Sequence, residues 1–315
     1  MKDISIGKLR GLQQCTSPQG TFTCLALDHR QNLRKANPLF NDDAQLSNFK
    51  LDVTSALAGE ATAVLLDPEF SAAQAIASGA LPGKTALVVA VESTGYGGTA
   101  TARRGQVLPG WSVEKARRMG ASMIKLLVYY HPNSPTASQT IRFIEEVAAE
   151  AIKSDLGLML EPLSYSLTGE KLSSREKRII VVETARHLTP IPGVDVLKAE
   201  LPVDISEDDQ SQLEDACAEV TAASVTPWIL LSAAVSFEKY QRQVVTACQA
   251  GASGIAVGRA VWQEAVSMPP ADRTGFLKTT ARERLKLLYS LCVAHARSIT
   301  ECYQADAPLD WYKNY

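Results

Sequence analysis

Residues 122–162 read SMIKLLVYYHPNSPTASQTIRFIEEVAAEAIKSDLGLMLEP. The segment begins and ends with short apolar runs, Ser122–Tyr130 and Gly157–Pro162. Their near-continuous apolar character suits strands covered on both faces, as in parallel sheets. Between them Ile141, Ile144, Val147, Ala148 and Ile152 recur along one helical stripe. Strand, helix and strand in that order form a βαβ unit, which joins two parallel strands.

The same grammar extends in both directions. Three apolar runs precede this unit, Thr21–Asp28, Ala63–Asp67 and Ala86–Glu92. Three follow it, Val194–Pro202, Trp228–Ala234 and Gly254–Ala260. Helical periodicity returns between runs, as in REKRIIVVETARHL before the sixth. Eight such units in roughly 250 residues predict a closed (β/α)₈ TIM barrel. A doubly wound open sheet would want G-x-G-x-x-G after its first strand, and the sequence has none there. No Pro/Gly/Ser-rich linker divides the 315 residues, so one domain is expected over 1–315. Residues 268–315 read as a C-terminal helical extension with a short polar end, and ESTGYGGTATARRGQVLPGW after the third run as a long Gly-rich loop.

Composition narrows the function classes. Apolar residues make up 46% and charged residues 21%, and a chain this long needs no disulfide or metal staple. Thirty-two basic against 34 acidic residues leave a charge of −2, without the field of a general nucleic-acid binder. The six cysteines form no C-x-x-C pair and mostly have apolar neighbours, as reduced core thiols do. No signal-peptide stretch opens the sequence, and no uncharged apolar run approaches the ~18 residues of a membrane span. A cytoplasmic protein with no membrane and no nucleic-acid partner is expected, with a homodimer suggested by symmetry statistics alone.

In a barrel, chemistry gathers at the C-terminal strand ends. Here those ends carry Asp28-His29-Arg30, Asp67, Glu92, Lys125, Glu161, Lys198 with Glu200, Ser232, and Gly258-Arg259. Lys125 and Lys198 stand inside apolar runs, where lysine is rarely buried without a partner. A structural ion pair with a strand-end carboxylate explains such a lysine. So does amine catalysis: a desolvated amine near a second cation loses its proton and attacks a carbonyl, with Glu161 as acid/base. Residue reading alone leaves the choice between the two lysines open. Gly258 and Arg259, after the eighth strand, suit a phosphate, with Ser232 as a further donor. Asp67 and Glu92 fit a helix cap or the neutralisation of an inward lysine, and Arg30 could orient Asp28. Glu200 should share a barrel face with Lys198, as its partner or as a rim residue. Arg103 and Arg104 read as solvated loop charges, with contact to a substrate tail as the alternative. The four histidines show no zinc-ligand spacing, and Walker, G-x-S-x-G and dinucleotide motifs are absent. No metal or cofactor is expected.

LALDHRQNLRK, MIKLLVYYHP, LEPLSY, DVLKAELP and AVGRAVW resemble, in order, strand ends of the tagatose 1,6-bisphosphate aldolase family. The sulfofructose 1-phosphate aldolases share that scaffold. The resemblance implies a (β/α)₈ class I aldolase that needs no metal and takes a phosphosugar. It implies Lys198 as the Schiff-base lysine, Glu161 as acid/base, and Lys125, Asp28 and His29 at the dihydroxyacetone-phosphate half. Ser232, Gly258 and Arg259 match the site of the 1-phosphate. His29 stands where the family usually has glutamine. Two other readings are a sugar-phosphate-sensing regulator without turnover and a metal-free isomerase using Glu161 as base.

Overall fold

Each of the eight apolar runs forms a strand in the computed structural model, which describes residues 1–203, 210–313 and 315. The strands are β1 (Phe22–Ala26), β2 (Ala63–Leu66), β3 (Ala86–Ala90), β4 (Met123–Tyr129), β5 (Gly157–Leu163), β6 (Val196–Ala199), β7 (Trp228–Leu231) and β8 (Gly254–Val257). All pairs are parallel, and β8 closes on β1 with Gly254 opposite Phe22. That seam requires glycine. Gly254 has φ +131°, and a Cβ there would lie 2.0 Å from the Phe22 carbonyl oxygen.

Period-two alternation sorts the strand residues into two apolar layers. Cys24, Ala26, Leu65, Val88, Ala90, Met123, Met159, Val196, Ile229 and Ala256 fill the barrel interior. Their neighbours, among them Leu25, Val64, Val89, Ile124, Leu160 and Leu197, pack outward against the helices. Beneath the interior lies a helix, Ile6–Cys15, which adds Leu12 and Cys15 to it. Lys8 on this helix pairs with Asp195 at 2.7 Å, and the Tyr303 hydroxyl donates to the Asp195 carbonyl at 2.6 Å. The floor is therefore sealed, and the opposite mouth is where a ligand can enter.

Three local expectations change. Helix Ala137–Lys153 buries Thr140, Ile144, Val147, Ala148 and Ala151, whereas Ile152 is 50% exposed, because the stripe turns away before its last turn. Residues 92–111 are more than loop, since Gly97–Thr99 and Ala102–Arg104 form an antiparallel hairpin. The chain end beyond the extension helices is aromatic as well as polar: Trp311 meets Tyr315 edge-on, and the Tyr315 hydroxyl reaches Asp155. The extension itself comprises Pro270–Phe276, a π-helical turn at Leu277–Ala281, and Arg282–His295 packed on helix Phe237–Gln249. No helix among the described residues is long and apolar enough to cross a membrane.

Candidate active site

On five strands the inward position after the last apolar interior residue is charged. Ala26 leads to Asp28, Ala90 to Glu92, Met123 to Lys125, Met159 to Glu161 and Val196 to Lys198. Strand parity alone thus delivers three carboxylates and two lysines to one layer just above the apolar interior.

The ions are tightly paired. Lys125 Nζ lies 2.7 Å from Asp28 Oδ2, 2.7 Å from Glu92 Oε1 and 2.9 Å from Glu161 Oε2. Lys198 Nζ lies 2.9 Å from that same Glu161 Oε2. The oxygen is shared between two ammonium groups without a well-aligned hydrogen bond to either. Burial would strip the Lys125 proton, yet Asp28, Glu161 and Glu92 outweigh it and hold its pKa well above the ordinary lysine value. Burial likewise opposes ionisation of Asp28, but Lys125 and Lys198 hold its carboxyl well below the usual range. Glu161 is lowered for the same reason and in the same balance.

Several expectations meet this geometry. Glu92 neutralises an inward lysine, and its second oxygen accepts the Leu127 N–H at 3.0 Å. Arg30 does not orient Asp28; its guanidinium donates to Glu69 Oε2 at 2.5 Å and to the Glu92 carbonyl at 2.9 Å, because those acceptors surround it. Asp67 pairs with fully buried Lys50 and accepts the Glu69 and Phe70 N–H groups, a structural role. Glu200 is a rim residue: its carboxylate accepts the Ser164 N–H at 2.6 Å and makes no pair with Lys198. Arg104 is exposed, as a loop charge should be, and Arg103 is only partly exposed. Its guanidinium lies 4.5 Å from the ring centroid of Tyr96, 4.9 Å from Tyr129 and 4.8 Å from Tyr165. The sequence contained that cage only as three tyrosines on three separate segments, two loops and the end of β4.

Across the mouth, the loop after β7 carries Ser232, whose Oγ accepts the Gly258 N–H at 3.3 Å. Ala233 and Ala234 follow with φ of +42° and +58°, left-handed conformations that cost an L-residue roughly 1–2 kcal/mol each. Such strain persists where a backbone must be presented in one way. Arg259 is half-buried and has no ion-pair partner among the described residues; burial lowers its pKa. His29 meets Trp262 edge-on at 5.4 Å, and its Cε1 would lie 3.0 Å from a Cβ built on Gly258. Its buried Nδ1 has no hydrogen-bond partner among the described residues. Burial, helped by Arg259 and Lys198 and opposed by Asp28, lowers the His29 pKa to about 4.

The eight residues to which the resemblance gives a role all line one cavity of about 640 Å³ at the strand C-termini. Among the described residues no cluster of three His, Cys, Asp or Glu side chains is arranged to hold a metal ion. The three central carboxylates enclose a lysine instead. An amine, a carboxylate beside it and an unpaired guanidinium across the cavity together suit attack on the carbonyl of an anionic substrate.

Known proteins carry related chains. A family model described as DeoC/LacD family aldolase matches residues 22–264. Tagatose 1,6-diphosphate aldolase 2 of Enterococcus faecalis is 32% identical, over 95% of this chain and 97% of its own. Tagatose 1,6-diphosphate aldolase of Lactococcus lactis is 29% identical, over 93% of this chain and 98% of its own. Among solved structures, an archaeal fructose 1,6-bisphosphate aldolase superposes with a TM-score of 0.60 at 22% identity, over 89% of this chain and 98% of its own. The fructose-bisphosphate aldolase of Slackia heliotrinireducens gives 0.64 at 13% identity, over 90% of each chain. These two likenesses concern the fold.

Proposed function

This chain belongs to the DeoC/LacD family of aldolases, and from that premise we propose that it is a class I, Schiff-base enzyme cleaving a ketose 1-phosphate. Tagatose 1,6-bisphosphate is the proposed substrate, with dihydroxyacetone phosphate and glyceraldehyde 3-phosphate as products; the names of its relatives support this choice. The observation that carries the chemistry is the single Glu161 oxygen 2.9 Å from both lysines. Lys125 is enclosed and held protonated by three carboxylates, so Lys198, which meets only one, is the nitrogen assigned to the carbonyl.

The steps follow from that asymmetry. Lys198 passes a proton to Glu161 and attacks the C2 carbonyl. Glu161 returns the proton to the departing hydroxyl, water leaves, and an iminium forms with no net change in protons. Glu161, ionised again, takes the C4 hydroxyl proton as the C3–C4 bond breaks. The bond pair enters the iminium to give an enamine, and the aldehyde departs. Protonation at C3 and hydrolysis then release dihydroxyacetone phosphate and free Lys198. The ammonium of Lys125 faces the negative charge that builds on substrate oxygens. Ser232, Gly258 and Arg259 receive the 1-phosphate, so that C2 meets the amine. Neutral His29 offers its unpartnered nitrogen to a substrate hydroxyl.

Incubation with dihydroxyacetone phosphate, borohydride reduction and peptide mass spectrometry tests this reading. A stable adduct on Lys198 is the expected outcome. An adduct on Lys125 would reverse the two lysine roles, and a bound but unreduced ligand would point to a sensor or an isomerase.

A further inference from the structure

We propose that Arg103 anchors the anionic group at the far end of the ketose, and so reads the aldehyde half of the substrate. The inference rests on the aldolase reading above and deepens it. The barrel closes in sequence order, which puts β4 diametrically opposite β8. Arg259 follows β8, whereas Arg103 is caged by Tyr96 from the loop after β3, Tyr129 from β4 and Tyr165 from the loop after β5. Two guanidinium groups therefore stand on opposite sides of the barrel mouth. Between them, in order around the rim from β8, come Lys198 on β6 and Glu161 on β5. That is the order in which a ketose 1-phosphate presents its parts: phosphate, C2 carbonyl, C4 hydroxyl, tail.

The local chemistry of Arg103 fits an anion receptor. Arg103 forms no ion pair among the described residues, and the one hydrogen bond of its guanidinium there runs from Nε to the Ala100 carbonyl, at 3.0 Å. Three aromatic faces hold the charge in place while satisfying no N–H group. The Nη donors form a planar fork that suits two oxygens of a phosphate or a sulfonate. Tyr129 is the shared wall, because its ring lines the central cavity and Arg103 stacks on it. A second hollow of about 260 Å³, with Arg103 and Ser166 in its lining, adjoins the cavity at Glu200. Hairpin register accounts for the contrast with Arg104: Arg103 stands opposite Gly98 and Arg104 opposite Gly97, on alternate faces.

The test condenses dihydroxyacetone phosphate with three aldehydes: glyceraldehyde 3-phosphate, its 3-sulfonate analogue, and uncharged glyceraldehyde. Wild type, Arg103→Ala, Arg103→Lys and Arg104→Ala are compared by kcat/KM, with borohydride labelling of each. Loss of a bidentate charge-assisted pair corresponds to roughly 10- to 150-fold. Arg103→Ala should lose that factor for the preferred anionic aldehyde, stay within about 3-fold for glyceraldehyde, and still label with dihydroxyacetone phosphate. Arg103→Lys, which keeps a charge and the bulk of the side chain, should show a smaller loss of the same selectivity even if the alanine variant folds poorly. Arg104→Ala should match wild type. The two anionic arms show which oxyanion the fork prefers. Equal losses for charged and uncharged aldehydes, or no loss for either anion, would overturn the proposal. Failure of the aldolase reading itself would appear separately, as wild type that does not label.

Discussion

Lys125 and Lys198 share an oxygen, yet their removal should have opposite consequences. Lys125→Met would leave Asp28, Glu92 and Glu161 buried around a thioether. Stranding buried charge in this way typically costs about 3–5 kcal/mol. Lys198→Met leaves Glu161 still 2.9 Å from Lys125, so a loss of no more than about 1–2 kcal/mol is expected, together with complete loss of borohydride labelling. Urea unfolding of the two variants beside wild type checks the pair. His29 supplies a pH prediction. Its folded pKa of about 4 lies below its unfolded value near 6.5. The unfolded chain therefore binds the proton first, and stability falls as pH drops from about 6.5 towards 4. The span corresponds to roughly 3 kcal/mol as an upper bound. His29→Gln should lose less stability than wild type between pH 7 and pH 5 in parallel urea titrations; an identical loss in both would show that His29 is not a source of the acid sensitivity.

The loop after β7 stores strain in two successive left-handed alanines. Ala234→Gly removes the steric penalty but adds unfolded-state entropy, so a gain of up to about 1 kcal/mol is expected. Ala234→Val, with a branched Cβ, should destabilise and raise KM for the phosphorylated ketose; thermal unfolding and steady-state kinetics read both. Elements also set what the sequence could disclose. Eight strands were legible because each is an apolar run with a polar or charged residue at or near its end, and parity carried Lys125, Glu161 and Lys198 into one layer. Glu92 could have been placed beside Lys125 by the same parity, since it lies two residues past Ala90. Arg30 could not, because its acceptors lie in the segments after β2 and β3, and only the folded course of those loops turns them towards it. The Arg103 cage was equally hidden. Its three rings are separated by tens of residues, and a Gly-rich segment gave no sign of the hairpin that aims the guanidinium.

Taken whole, the molecule is a sealed floor, an apolar column and a charged mouth, each resting on the one beneath. Two methionines, Met123 and Met159, occupy the top of that column, immediately below Lys125 and Glu161. Thioethers fill irregular space well, which suits a bed for a rigid ring of ions. They are also oxidisable, and conversion to the polar sulfoxide would push oxygen into the column. Both are fully buried, so peroxide reaches them when the barrel opens. Inactivation by peroxide should therefore track opening, slow when a ligand fills the mouth and stabilises the folded barrel, and carry its mass increase on Met123 or Met159 while Lys198 stays intact. The Met123→Leu/Met159→Leu double variant should resist it, at a stability cost below about 1.5 kcal/mol per substitution. The softness of two interior side chains thus sets how the molecule ages: the site would decay from beneath, with every residue that touches the sugar chemically unaltered.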